Sequence, residues 1–451
     1  MIGFDILPQF RHPKLNGMTL KYQSFPGMDD VLPSTIQAWQ QLEKRARIFL
    51  ESEGFLEIRT PILEPTELFC RAIGETSDIV GKEMYTFEDR GARSMTMRPE
   101  MTASVARSII QNSMLRNGVG QLVYYIAPMF RAERPQAGRK RQFHQIGVEL
   151  VNHTEKSLAD EHAITSLYFF LKSLGVPNLK IKLNDLSLIN GDQAEAVRGR
   201  MRDYFSVNKA SLDEDSVNRL DKNVLRIFDS KNPAMQKLIE AFPWDTAVPL
   251  SDEFKKLEEK LKQRGVEVEI HRRLVRGLDY YTGVVFEAAS GGLGAQDALA
   301  GGGRYDKLYG ELGGGNVPCT GWSIGFERLL MALDSVEPKF SDKAKSKTFG
   351  MICLSQDDAA IAYFKGEARC LAWAGVSVSV EPLFLKKNVK AGKEIERALK
   401  SGFRYVVLFG DDEFQKKVWM VKDLQEKTQI EVASENLEDV LRGLLAKGRT
   451  V

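Results

Sequence analysis

Cysteine and histidine are scarce in this chain of 451 residues, which has four of the first and five of the second. Cys70, Cys319, Cys353 and Cys370 form no Cys-x-x-Cys pair, and no histidine stands at metal-ligand spacing from any of them, which argues against structural zinc and a disulfide framework. Long apolar runs are missing too. No stretch approaches the roughly 20 uncharged residues of a membrane span, and Met1–Phe10 has neither the basic prefix nor the apolar core of a secretory signal, so a cytoplasmic chain without a membrane partner is expected. Neither sign of charge dominates: 63 basic against 61 acidic residues leave +2, and a polyanionic partner must be met by local patches. There is no GxxxxGK[ST], no GxGxxG frame and no GxSxG, which disfavours P-loop, dinucleotide-binding and nucleophile-elbow enzymes. What remains is a globular composition, 43% hydrophobic with 37 glycines, and length for about three domains at roughly 150 residues each.

Along the chain, Ile36, Trp39, Leu42, Ala46, Phe49 and Leu50 recur at helical spacing between Ser34 and Gly54. A short strand, Phe55–Ile58, follows, and Pro61 beyond it marks a sheet edge or an interface. Leu122–Phe130 and Gln142–Leu150 flank the polar loop Ala132–Arg141 and predict a long antiparallel hairpin. Residues 187–265 are charged and helical in pattern, reading as an insertion, and strand signals return at Val284–Phe286 and between Gly291 and Gly325. The polar stretch Glu337–Lys347 reads as a linker. Beyond it strand and helix patterns alternate: Phe349–Leu354, Asp357–Ala374, Val376–Val380, Val389–Lys400, Tyr405–Phe409, then Lys417–Lys422. Such alternation predicts a small α/β domain with a mainly parallel sheet.

The second hairpin strand is the most informative segment. With period two, His144, Ile146, Val148 and Leu150 share a core face, while Phe143, Gln145, Gly147 and Glu149 share a polar one. Gly147 between Gln145 and Glu149 leaves room for a ligand against the backbone. Arg131, Arg134, Arg139, Lys140 and Arg141 against Glu133 give +4 at the hairpin mouth, and guanidinium forks suit phosphate oxygens. Arg328 falls in the first turn of the helix after Gly325, where the dipole disfavours a cation unless an anion is near. Arg276 and two tyrosines interrupt the apolar run Leu274–Thr282, and a buried arginine requires a partner.

Together these segments resemble the histidyl-tRNA synthetase family of class II aminoacyl-tRNA synthetases over nearly the whole chain. The carriers are Phe25–Asp30 with Leu32–Pro33, Glu57–Pro61 (motif 1), Met97–Thr102, Ala127–Gln136 continuing through Gln142–Glu149 (motif 2), Leu274–Thr282 and Gly302–Asp306 (two histidine signatures), and Gly325–Leu329 (motif 3). Met101 departs from the glycine common in the family. The resemblance implies an α+β class II core, a six-stranded antiparallel sheet flanked by helices, with a helical insertion and a C-terminal α/β anticodon-binding domain. The expected layout is an N-terminal extension at 1–17, a catalytic domain at 18–336 interrupted by the insertion at about 187–265, a linker at 337–347 and the anticodon-binding domain at 348–451. It also implies a homodimer with motif 1 at the interface.

The activity implied is that of a histidine–tRNA ligase using L-histidine, ATP with Mg2+, and histidine tRNA, with no metal held by a protein cluster. By resemblance, Glu100, Thr102 and Gln145 hold the α-amino end of histidine, Glu149 and Tyr281 read the imidazole, and Tyr280 and Tyr305 line its pocket. Arg131 and Arg276 serve both histidine and the α-phosphate, with Gln145 as a third catalytic residue; Arg139 and Arg328 take the terminal phosphates and Glu133 lies near adenine. The helix Val389–Lys400 is expected to turn Ala391, Ile395, Ala398 and Leu399 inward and Lys390, Lys393, Arg397 and Lys400 toward RNA phosphate. A catalytically silent relative, the synthetase-like regulatory subunit of ATP phosphoribosyltransferase, is the alternative. Such proteins generally lack the arginine at position 276 and the C-terminal domain.

Overall fold

The computed structural model describes residues 14–15, 18–19, 22–74, 77–136, 138–190, 194–222, 224–228, 230, 232–274, 278–291, 298–336, 340–341, 349–381, 390–400 and 402–447. The expected extension at 1–17 and linker at 337–347 therefore fall mainly outside the described residues, and Arg276 does so entirely. Two compact units are present, Met1–Asp30 with Ile48–Met331, and Val31–Arg47 with Ala332–Val451. The helix Ile36–Ser52 has Ala38, Leu42, Ala46 and Leu50 buried at a spacing of four, as an amphipathic helix requires.

The larger unit is built on an eight-stranded sheet: β1 (Leu56–Glu57), β2 (Gln121–Phe130), β3 (Gln142–Val151), β4 (Leu179–Asp185), β5 (Val268–Ile270), β6 (Val284–Ser290), β7 (Ala298–Arg304) and β8 (Cys319–Gly325). Their order is β5-β4-β6-β7-β8-β3-β2-β1. The six inner strands pair antiparallel throughout, as expected of the class II core, and a short parallel strand closes each edge. β2 and β3 pair over their full length, from Gln121 opposite Val151 to Phe130 opposite Gln142. The helices Lys156–Ser173 and Thr102–Gln111 supply apolar faces, with Ala163, Ile164, Leu167, Phe170 and Leu171 buried on the first and Ala103, Val105, Ala106 and Ile109 on the second. Between β4 and β5 the described chain is helical, from Ser187–Asn190 to Asp252–Gln263, around a knot of Phe205, Phe228, Phe242 and Trp244 with ring centroids 4.6 to 6.4 Å apart. No described helix is long and apolar enough to cross a membrane.

The C-terminal unit carries β9 (Phe349–Cys353), β10 (Val378–Glu381), β11 (Tyr405–Phe409), β12 (Val418–Asp423) and β13 (Thr428–Ala433), in the order β10-β9-β11-β12-β13. β9 pairs parallel with β10 and β11, while β12 and β13 add antiparallel, so the sheet is mixed rather than mainly parallel. The expected elements stopped at Lys422 and left out β13, although Gln429, Ile430, Glu431 and Val432 alternate; Thr428–Glu431 are exposed and Val432 is buried. The helix Ala391–Lys400 buries Ala398 and half-buries Ile395, but Leu399 is 53% exposed, a correction to its expected inward place. Lys390, Lys393, Arg397 and Lys400 are exposed as expected.

Candidate functional site

Three strands bring the polar residues of motif 2 to one face of the sheet. Glu149 stands opposite Val123 and Gly321, Gly147 opposite Tyr125 and Ser323, and Gln145 opposite Ala127 and Gly325. Glu149 is 2% exposed, and its carboxylate accepts the Thr102 hydroxyl on Oε1 at 2.7 Å and the Tyr305 hydroxyl on Oε2. Burial dominates these hydroxyl donors and pushes its carboxyl up to about 8. Gly321 makes that position possible: a Cβ there would sit 2.3 Å from Glu149 Oε2. Glu100 is buried at the start of the helix Thr102–Gln111 and accepts the backbone N–H groups of Thr102 at 2.8 Å and Ala103 at 2.9 Å. A carboxylate there satisfies donors that the helix leaves over and is favoured by the dipole, though burial raises its pKa on balance.

The tyrosines complete the wall. Tyr280 lies 4.8 Å from Tyr281 and 5.6 Å from Tyr305, centroid to centroid, and all three are buried. The backbone N–H of Asp279 donates to Ile73 at 3.2 Å, and a Cβ on Gly74 would meet the Asp279 carboxylate at 2.7 Å, so this segment is seated on the end of the helix Thr66–Ile73. Burial raises the phenols of Tyr125, Tyr280 and Tyr305 well above their ordinary range and keeps them neutral donors.

On the adjoining side stand the cations. Arg131 donates from Nε to the Pro99 carbonyl at 2.9 Å, and its guanidinium lies 5.2 Å from the centre of the Phe143 ring. Burial lowers its pKa, opposed by Glu83, Glu133 and Glu100. Arg139 is 3.8 Å from Glu133 at the loop tip. A Cβ on Gly138 would come within 3.0 Å of the Arg328 stem, so the hairpin loop and the motif 3 helix, Phe326–Asp334, meet at Arg328. The two motifs are also tied by Glu327, whose carboxylate accepts the His144 backbone N–H at 3.0 Å and faces its Nδ1 at 3.1 Å. Gly27, at φ +81°, turns its carbonyl to the N–H groups of Arg141 and Gln142 at 2.8 and 3.0 Å. A side chain at 27 would strike Pro135 and the Arg141 nitrogen, which explains a glycine here.

The structure thus gathers Glu100, Thr102, Gln145, Glu149, Tyr280, Tyr281 and Tyr305 into one buried group, with Arg131 tied to Pro99 beside it and Glu133, Arg139 and Arg328 about the loop. One reading changes. Gly147 does not leave open floor: the Tyr125 phenol lies there, 2.3 Å from where a Cβ would stand. The hydroxyl bonded to Glu149 from the tyrosine group is that of Tyr305, while Tyr281 lies against Gly303. Both faces of β3 are buried from Gln145 onward, so polarity marks the site and exposure does not.

Sequence reasoning passed over Tyr125, Glu83 and Arg304. Arg304 is 6% exposed, grips Asp160 with two bonds at 3.0 and 2.8 Å, and reaches Asp306 at 2.9 Å, which fixes the turn that presents Tyr305. The pairing of Tyr125 with Gly147 was readable from the hairpin register, a large side chain opposite a glycine. The Arg304–Asp160 pair was not, since 144 residues separate its members.

Residues 27–329 match the family described as histidyl-tRNA synthetase, and residues 350–444 match the anticodon binding domain. The histidine–tRNA ligase of Synechococcus sp. (strain CC9902) is 41% identical over 433 residues, covering 94% of this chain and 98% of that one. Among solved structures, apo S. aureus histidyl-tRNA synthetase superposes with a TM-score of 0.68 at 26% identity, over 93% of this chain and all of that one. An ATP phosphoribosyltransferase regulatory subunit/histidyl-tRNA synthetase from Bacillus halodurans gives 0.60 over 86% of this chain and 98% of that one; at 22% identity that likeness shows the fold alone.

Proposed function

The chain belongs to the histidyl-tRNA synthetase family, and from that premise we propose that its buried carboxylate–tyrosine pocket takes L-histidine and its arginine group takes ATP. The reaction is that of a histidine–tRNA ligase. The histidine carboxylate attacks the α-phosphorus of ATP, pyrophosphate leaves, and the histidyl group passes from the adenylate to the terminal adenosine of histidine tRNA with release of AMP.

The observation that carries this reading is Glu149, a carboxylate 2% exposed and held by hydroxyls on both oxygens. Neutral imidazole offers one donor and one acceptor. Glu149 takes the donor and a phenol, Tyr281, meets the acceptor, a pairing that a substrate lacking either group leaves unsatisfied at a large cost in selectivity. Glu100, Thr102 and Gln145 receive the ammonium end; the Gln145 Oε1 atom is buried with no hydrogen-bond partner, a fit for such a donor.

For adenylate formation no strong protein base is needed, since the attacking group is already a carboxylate. The work is positioning and charge neutralisation. With its Nε committed to Pro99, Arg131 directs the rest of its fork to the α-phosphate and the histidine carboxylate. Arg276 shares that role by family resemblance, Arg139 and Arg328 hold the terminal phosphates, and Glu133 lies beside the adenine. Magnesium bound with ATP would supply further neutralisation of phosphate charge. Glu83, whose charge acts on Arg131, is the carboxylate that would help to hold it there.

The same reading makes the protein a cytoplasmic homodimer. Its support is the sheet edge at β1, where Leu56 is 70% exposed and Ile62 and Leu63 add exposed apolar surface. Amino-acid-dependent ATP–pyrophosphate exchange tests the function: exchange with histidine and with none of the other nineteen amino acids is the expected result. A folded protein without exchange would return the regulatory-subunit reading.

A further inference from the structure

On the side of β2 away from β3, the short strand β1 ends at Glu57, opposite Tyr124, and the Ile58 N–H still donates to the Tyr124 carbonyl at 2.8 Å. Farther along, β2 turns Pro128 and Phe130 to that same side, and Pro128 has no N–H to offer a neighbour. Arg98 occupies this edge. It is the first residue beyond the strand Ser94–Met97, which pairs with Leu63–Pro65 in a small three-stranded sheet. Its N–H donates to the Ile62 carbonyl at 2.9 Å, and its own carbonyl accepts the Phe130 N–H at 3.0 Å. Arg98 is 3% exposed, and its guanidinium donates to main-chain carbonyls of two segments. Nε reaches Pro128 at 3.0 Å, while Nη1 reaches Thr60 at 2.8 Å and Pro61 at 3.1 Å.

One planar fork thus joins the motif 1 segment at Thr60 and Pro61 to the strand end that leads into Arg131. A lysine ammonium is a compact point charge and lacks the rigid geometry that meets two segments at once. The next residue in the chain shows what the fork holds. Pro99 has no N–H, and its carbonyl accepts Arg131 Nε at 2.9 Å. Glu100 beyond it is anchored separately, by the Thr102 and Ala103 N–H groups. The direction of the Pro99 carbonyl is therefore set between two fixed residues, Arg98 and Glu100. We propose that Arg98 is a positioning residue for adenylate formation: by pinning Thr60, Pro61 and Pro128 to one side chain, it fixes the Pro99 carbonyl that aims Arg131 at the α-phosphate. The proposal rests on the reading that Arg131 meets the α-phosphate, and it adds the residue that orients it.

Arg98→Lys keeps the charge and loses the fork. In histidine-dependent pyrophosphate exchange, with competent sites counted by the burst of adenylate, kcat per site should fall about ten- to a hundred-fold, the cost of shifting a reacting group by about 1 Å. The KM for histidine should stay within about three-fold of the parent, because Glu149, Thr102 and Tyr305 are bonded to one another and not to Arg98. Counting sites separates this from a purely structural loss, which lowers the number of competent sites or the melting temperature and leaves the rate per site alone. Arg98→Gln removes the charge from the interior, keeps an amide donor, and should show the same split even where Arg98→Lys does not fold. Either variant combined with Arg131→Lys should cost little more than Arg131→Lys alone, since both act through one guanidinium. A rate per site within about two-fold of the parent in the Arg98 variants, or losses that multiply in the double variants, would overturn the proposal. Arg131→Lys by itself separates the two layers. If it keeps the parent rate, the reading of Arg131 fails and the proposal with it; if it loses that rate while the Arg98 variants keep it, only the role of Arg98 fails.

Discussion

Histidine affinity should strengthen as pH rises through neutrality, and Glu149 should be the cause. Its carboxyl is raised from 4.5 to about 8 by burial. A group with that pKa is about 3% ionised at pH 6.5, about 10% at pH 7 and about 75% at pH 8.5. If the imidazole N–H requires the ionised acceptor, the histidine KM at pH 6.5 exceeds that at pH 8.5 by about 25-fold, plus about two-fold from protonation of free histidine itself. Pyrophosphate exchange at varied histidine and saturating ATP, across pH 6.5 to 8.5, measures this directly. Glu149→Gln cannot ionise and should keep only the two-fold dependence. The linkage has a second face without histidine. The folded chain holds a proton that the unfolded chain has released, so the contribution of Glu149 to stability falls as pH rises from about 4.5 toward about 8. A histidine KM flat over this range in the parent protein would refute the argument, because it would mean that Glu149 is already ionised at pH 6.5 or does not meet the imidazole.

Three further outcomes are expected. Asp160→Ala takes from the Arg304 guanidinium, 6% exposed, its bonds to Asp160 at 3.0 and 2.8 Å and leaves Asp306 as its carboxylate partner, and should lower unfolding stability by about 1.5 to 3 kcal/mol; a loss below about 1 kcal/mol in denaturant titration would contradict a structural role for that pair. Glu327→Ala removes the acceptor that ties the motif 3 helix to the His144 backbone at 3.0 Å, and should raise the KM for ATP several-fold while sparing that for histidine. Equal effects on both substrates would show that the tie does not act through the arginine group. Lys393→Ala, on the exposed face of the helix Ala391–Lys400, should weaken tRNA binding and reduce the slope of log affinity against log salt by about one; an unchanged slope in filter binding would remove this helix from the RNA contact.

Periodicity along the chain determined more of the fold than its composition suggests. The β2–β3 hairpin follows from two alternating runs around a charged loop, and Tyr405–Phe409 is a strand because five apolar residues lie between turn signals. The helix Asp358–Trp373 was legible to within a residue or two for the same reason. Motif chemistry was equally local. A glycine between a glutamine and a glutamate at period two, with arginines at the strand mouth, is a pattern of neighbours, and neighbours are what a sequence records.

Tertiary structure alone decided what those side chains do to one another. That Glu149 is pushed to about 8 depends on burial by strands and tyrosines drawn from Thr102 to Tyr305. Whether Gly147 offers open floor or a seat for a phenol depends on the Tyr125 rotamer across the hairpin, and Leu399 turns out because Ala398 and Ile395 already fill the face of its helix. The Arg304–Asp160 pair spans 144 residues, and the loop-closure entropy that separates such partners in the unfolded chain leaves no trace of their meeting in local pattern. Sequence period determined which face each residue would occupy; three-dimensional packing, by removing water, decided the strength of every charge placed on it.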